Sequence, residues 1–149
     1  MGSPTELATW TTGLITRSGE ETERAAEAFA GLLPPDTVLA LEGDLGAGKT
    51  TFVRGLVRGL GVTGDITSPS FALLNVHEGR RQVFHVDAYR LKPGAGLDEL
   101  MIWDVARSPW NVCVEWPERV AAHLPRGHWK LKASILADGG HRYELTLPG

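Results

Sequence analysis

One cysteine, Cys113, is all that the 149-residue chain contains, so no intramolecular disulfide can staple it. It sits between valines in NVCVE, the setting of a small buried core residue rather than of a reactive thiol. No apolar run approaches the roughly 18 to 20 residues that a membrane-crossing helix needs. The opening MGSPTELATW lacks the basic and apolar stretches of a secretory signal. The expectation is a cytoplasmic protein with no membrane contact. Positive charge is not in excess either: 15 Lys and Arg stand against 18 Asp and Glu, with pI near 5.9. That balance argues against a surface built chiefly to grip nucleic acid by its phosphates, so strong direct nucleic-acid binding is not expected. The five histidines, His77, His85, His123, His128 and His141, show no i, i+4 pairing of the kind a helical metal site uses, and each is expected on the surface or in the core. Arginines are scattered, and none of the segments reads as an arginine-rich lid. There is no internal repeat, low-complexity segment or interdomain linker, which leaves one ordinary-sized domain over residues 1–149.

What is present is a regular alternation of elements. In SGEETERAAEAFAGLLPPD, Ser18 with Glu21 three residues on forms a capping-box pattern at a helix start. Ala25, Phe29, Leu32 and Leu33 share one face of that helix, and Pro34-Pro35 stop it. TVLALEG (37–43) is a continuous apolar run that reads as a strand buried on both faces of a parallel sheet. Phe52, Val53, Leu56, Val57 and Leu60 then keep helical spacing up to Gly61. Two further strand-like stretches meet at a turn over Glu78-Gly79-Arg80, which predicts an antiparallel pair. Residues 96–106 predict a short helix, and WNVCVE another buried strand ending at Glu115. The tail changes character: Trp129, Leu131, Ala133 and Ile135 alternate with polar residues, ADGG turns, and YELTL alternates again. Together these elements predict an α/β fold with a mixed, mainly parallel sheet flanked by helices and a C-terminal antiparallel hairpin.

Between the first buried strand and its helix lies GDLGAGKTT (43–51), which fits G-x-x-x-x-G-K-[ST] on Gly43, Gly48, Lys49 and Thr50. A strand, a glycine loop and a helix in this order aim successive backbone N–H groups and a helix N-terminus at a phosphate. Lys49 adds a point charge for the β- and γ-phosphates, and the Thr50 hydroxyl is a magnesium ligand by type. Such a site also needs a carboxylate at the end of a neighbouring strand. Asp87, after VFHV, and Glu115, after VCV, both qualify. Of the five tryptophans, Trp10, Trp103, Trp110 and Trp129 are expected in packing roles; Trp116 adjoins Glu115, but packing is the expectation there too.

The blocks LEGDLGAGKTTFVRGL, SPSF (68–71), HVDAYRL (85–91) and VEWPER (114–119), in that order and spacing, resemble the TsaE (YjeE) family. These are bacterial P-loop ATPases of tRNA threonylcarbamoyladenosine (t6A) formation. The resemblance runs from about residue 18 to 119. It implies a loop of Asp44, Leu45, Gly46, Ala47, Gly48, Lys49, Thr50 and Thr51 around ATP, with Mg²⁺ held by Thr50 and Glu115. It further implies SPSF as a switch-like segment near the γ-phosphate, Asp87 as the acid that positions the attacking water or the metal's water shell, and Lys49 and Asp87 as the catalytic pair. The implied partner is the TsaB–TsaD heterodimer, which places the modification on tRNA. Two departures are visible: Ser70 replaces a threonine, and Met101 stands where the family carries a glycine. Two other readings fit a phosphate loop: a small-molecule or nucleotide kinase, and a nucleotide-gated interaction module in which hydrolysis is not essential.

Overall fold

Runs of strand-forming residues buried on both faces place a mixed sheet at the centre of the protein. The computed structural model describes residues 4–44, 46–63, 73–92 and 94–149. Its elements in chain order are α1 (Pro4–Thr12), β1 (Leu14–Thr16), α2 (Gly19–Phe29), β2 (Thr37–Glu42), α3 (Lys49–Gly59), β3 (Leu74–Glu78), β4 (Gln82–Asp87), α4 (Ile102–Val105), β5 (Trp110–Glu115), β6 (Trp129–Ile135) and β7 (His141–Thr146). Tight 3-10 turns cover Ala88–Arg90, Leu97–Leu100 and Pro117–His123. The seven strands lie in the order β1-β7-β6-β2-β5-β4-β3. The four central strands, β6, β2, β5 and β4, are mutually parallel, and the edges are antiparallel.

The sheet is covered on both sides, which is why β2, β4 and β5 carry central buried runs that are apolar apart from His85 in β4. Leu39, Leu41 and Cys113 point into a core with α2 and α3, while Val38, Val112 and Val114 point into a second core with Phe84, Val86 and Ile102. Burial pushes the Cys113 thiol up to about 12, so it stays protonated and inert. Ser18 caps α2 as its sequence predicts, accepting from the Glu21 N–H at 3.1 Å, while the Glu21 carboxylate accepts from the Arg17 N–H at 2.7 Å. The helix ends at Phe29, ahead of the two prolines, and residues 30–32 continue as turns.

Three features depart from the sequence expectation or extend it. The first is α1, which carries the buried Trp10 edge-on to Phe29 (4.8 Å between ring centres) and Phe52 (5.9 Å); its apolar periodicity is too weak to announce a helix. The second is the C-terminal hairpin. β6 and β7 pair antiparallel as expected, but β6 also pairs parallel with β2, so the hairpin is built into the central sheet. Among the described residues, no helix is long and apolar enough to cross a membrane.

The third is the helix predicted over 96–106, which is broken in two at Met101. Met101 has φ 56°, in the left-handed region that a Cβ makes unfavourable, and its side chain is 62% exposed, so burial does little to offset the strain. A left-handed L-residue costs roughly 1–2 kcal/mol, and glycine gives back about 0.5–1 kcal/mol in unfolded-state entropy. Met101→Gly is therefore expected to stabilise the fold by roughly 0.5–1 kcal/mol, seen as a rise in Tm of about 1–4 °C in thermal unfolding. A lowered Tm would contradict the backbone argument.

Candidate functional site

The parallel strands deliver their C-terminal ends to one edge of the sheet, the place where open α/β folds bind ligands. β2 runs into the glycine loop there, β5 ends at Glu115, and β4 ends at Asp87. Asp87 and Glu115 are direct register partners, as are Leu41 and Glu115. Two glycines allow the loop to lie where it does. Gly43 has φ 146°, and a Cβ on it would sit 2.4 Å from the Ala133 carbonyl of β6; Gly48 has φ 98°, and a Cβ there would meet the Tyr143 hydroxyl at 2.4 Å. Any side chain at either position displaces the loop from the hairpin.

The loop and α3 open onto a cleft of about 310 Å³ lined by Gly46, Gly48, Lys49, Thr50, Thr51, Glu115, Trp116 and His141. Lys49 is the first residue of α3 and is only 6% exposed. A buried ammonium needs partners. Its Nζ donates to the Gly43 carbonyl at 2.6 Å and lies 3.8 Å from the centre of the Trp116 ring. The lysine is thus folded back across the loop and held by a carbonyl and a π face. Trp116 sustains that contact from a left-handed backbone (φ 58°), an unusual conformation for a bulky residue and of the kind that collects at functional sites. Its ring also packs, tilted by 55°, against Tyr89 at 5.2 Å, and the Arg119 guanidinium covers the Tyr89 ring at 5.0 Å.

Glu115 is nearly buried, and its Oε2 lies 2.5 Å from His85 Nε2. His85 itself is buried, and among the described residues its Nδ1 has no hydrogen-bond partner. Asp87 is differently occupied: Oδ1 accepts from the Tyr89 N–H at 3.1 Å and Oδ2 is 3.2 Å from Arg90 Nε. Of the residues singled out from sequence, the structure brings Gly46, Gly48, Lys49, Thr50, Thr51 and Glu115 together around one cleft. Asp87 lies one strand away and is not among the lining residues. Asp44 is exposed and its backbone carbonyl accepts the Ala47 N–H at 3.0 Å, and the Ala47 side chain is buried. Leu45 and the SPSF segment lie outside the described residues.

Three lining or supporting residues escaped the sequence reading. Trp116, expected only to pack, covers the loop lysine. His85, expected to be a surface or core residue, holds the strand-end acid. His141, under the same expectation, lines the cleft and reaches the Ala47 carbonyl through Nδ1 at 2.9 Å. Its neighbour on the same face of β7, Tyr143, donates to the Gly48 carbonyl at 3.1 Å. Burial raises the Tyr143 pKa, which keeps the phenol protonated as a donor. Only Trp116 had a signal in the sequence, its adjacency to Glu115; ninety-four residues separate His141 from Ala47.

Thr50 and Glu115 present hard oxygen donors to one cleft, which suits magnesium in chemistry. Among the described residues, no group of three or more His, Cys, Asp or Glu side chains could hold a metal alone. A cation here would be completed by phosphate oxygens and water, which is how magnesium is usually bound.

The family described as "Threonylcarbamoyl adenosine biosynthesis protein TsaE" matches residues 16–142, and so takes in the loop, both strand-end acids and His141. The chain belongs to the TsaE family. A TsaE from Treponema pallidum is 41% identical over 136 residues, covering 89% of this chain and 97% of the relative. The TsaE of Bacillus subtilis is 37% identical over 132 residues, with 85% and 78% covered. The crystal structure of YdiB from B. subtilis superposes with a TM-score of 0.76 at 32% identity, covering 92% of this chain and 85% of that one. The TsaE match begins in β1 and ends in β7, so the strands on both sides of the glycine loop are part of the family's fold.

Proposed function

We propose that this protein is a magnesium-dependent ATPase of tRNA t6A formation that acts on the TsaB–TsaD pair. The observation that carries the reading is the cleft, in which a glycine loop, a lysine and a helix N-terminus meet a strand-end carboxylate. Family membership supports the t6A assignment, and each curated relative described above is named for that biosynthesis.

In this reading, the first-turn N–H groups of α3 bind phosphate oxygens, since no intrahelical acceptor exists for them. Lys49 leaves the Gly43 carbonyl and the Trp116 ring and carries its charge to the β- and γ-phosphates. Thr50 and Glu115 hold magnesium, which neutralises phosphate charge when bound. His85 fixes the Glu115 carboxylate in place, in the way that outer hydrogen bonds orient metal ligands. Asp87 positions the attacking water once its oxygens are released from Tyr89 and Arg90.

The experiment is a calorimetric titration with ATP, with and without Mg²⁺, on wild type, Glu115→Ala and Asp87→Ala, followed by turnover with and without purified TsaB–TsaD. Glu115→Ala is expected to lose the dependence of binding on Mg²⁺. Asp87→Ala is expected to keep Mg·ATP binding and lose hydrolysis. Turnover is expected to rise on the partner pair. Normal binding and hydrolysis in both variants would remove the two roles, and equal turnover with no complex in ATP would remove the partner.

A further inference from the structure

The geometry points to His141 and Tyr143 as positioning residues that orient the glycine loop toward phosphate from the β7 side; this rests on the nucleotide-binding reading above. In a trans peptide unit the C=O and the N–H of the next residue point in opposite directions. Among the described residues, the only cis bond is Ser108-Pro109, so the Ala47-Gly48 and Gly48-Lys49 units are trans. His141 Nδ1 is 2.9 Å from the Ala47 carbonyl, and a carbonyl oxygen only accepts, so Nδ1 carries the hydrogen. The Tyr143 hydroxyl donates to the Gly48 carbonyl, which also receives the Phe52 N–H as the first helical bond of α3.

Holding these two carbonyls against β7 turns the Gly48 and Lys49 N–H groups away from the hairpin. These are the consecutive donors that a phosphate loop uses. Without the anchors, a glycine-rich loop has freedom to rotate its peptide planes, because glycine tolerates both signs of φ. The approach is close: a Cβ on Gly48 would strike the Tyr143 hydroxyl at 2.4 Å and press on His141 Nδ1 at 3.2 Å. β7 is tied to the loop strand through β6, which pairs with both β7 and β2, so the brace stands on the central sheet rather than on a mobile tail.

The test compares wild type, His141→Ala, His141→Asn and Tyr143→Phe by calorimetric titration with ATP and with inorganic tripolyphosphate, and by thermal unfolding without ligand. Asparagine places an amide nitrogen near the position of Nδ1, and phenylalanine keeps the ring packing while removing the hydroxyl. His141→Ala and Tyr143→Phe are expected to weaken both ligands about 5- to 10-fold, the size of one lost hydrogen bond. His141→Asn is expected to restore most of the affinity. A purely structural role would shift the melting temperature without this rescue. Wild-type affinity in His141→Ala, or no recovery in His141→Asn, would overturn the brace. So would a loss seen with ATP but not with tripolyphosphate, since His141 would then be reading the nucleoside. A wild-type protein that binds neither ligand would instead overturn the nucleotide-binding reading, and the brace would fall with it.

Discussion

Lys49→Ala is expected to weaken ATP binding by about 10- to 150-fold, the equivalent of one charge-assisted hydrogen bond of about 1.5–3 kcal/mol. In the structure the ammonium is engaged by the Gly43 carbonyl at 2.6 Å and by the Trp116 ring at 3.8 Å. A cation–π contact contributes about 0.5–2 kcal/mol depending on how far it is desolvated. The lysine must give up both contacts to reach a phosphate, so the measured loss is a difference between bound and free states. This places the expected value within the range rather than above it. It also makes a companion result informative: Trp116→Ala removes the competing contact but leaves the charge, and is expected to tighten ATP binding or leave it unchanged. Isothermal titration calorimetry of the two variants decides the matter. Unchanged affinity in Lys49→Ala would remove the phosphate-loop assignment altogether.

The second large effect concerns stability. Glycine to alanine inside a helix ordinarily stabilises by about 1 kcal/mol, yet Gly55→Ala is expected to destabilise this protein by about 2 kcal/mol. A Cβ on Gly55 would lie 2.3 Å from the backbone carbonyl of Glu23 on α2, and one on Gly59 would lie 2.6 Å from that of Glu27. These two positions, one helical turn apart on α3, let the two helices touch backbone to backbone. Backbone atoms cannot swing aside as the end of a side chain can, so the helices must separate and open the core beneath them, including Phe29 and Phe52 at 5.5 Å. For a chain of this size, 2 kcal/mol corresponds to a fall in Tm of about 4–8 °C. A stabilised Gly55→Ala protein would show that the helix pair has slack.

Much of this architecture is legible in local patterns. The run TVLAL must be a two-sided buried strand, because four consecutive apolar residues have no face to offer water. The Ser18–Glu21 pair marks the start of α2: the Ser18 hydroxyl accepts the Glu21 N–H as the pattern predicts, while the Glu21 carboxylate reaches one residue further back, to the Arg17 N–H. The helical spacing from Phe52 to Leu60 and the alternation in β6 identify which side chains are buried, although Ile135, expected on the buried face, is 54% exposed at the end of its strand. The loop motif, with Glu115 at the end of the neighbouring strand β5, locates the cleft, whereas Asp87 ends a strand one place further out. All of these depend on residues within a few positions of each other, where backbone geometry alone relates spacing to direction.

Tertiary structure decides the rest. No local pattern around Met101 announces a left-handed residue; only the glycine that the resembled family carries there points to one. Strand order is not written in any one strand: β6 lies next to β2 although about ninety residues separate them, and only that placement brings β7 against the glycine loop. The pairing of His85 with Glu115, the cover of Trp116 over Lys49, and the bonds of His141 and Tyr143 to the loop carbonyls join residues 30 to 95 positions apart or rest on a local backbone kink. A side chain's chemistry is visible in the sequence. The group that it meets across such a separation is settled by the packing of the whole sheet, since burial leaves each polar atom only the partners that the fold happens to bring within hydrogen-bonding distance.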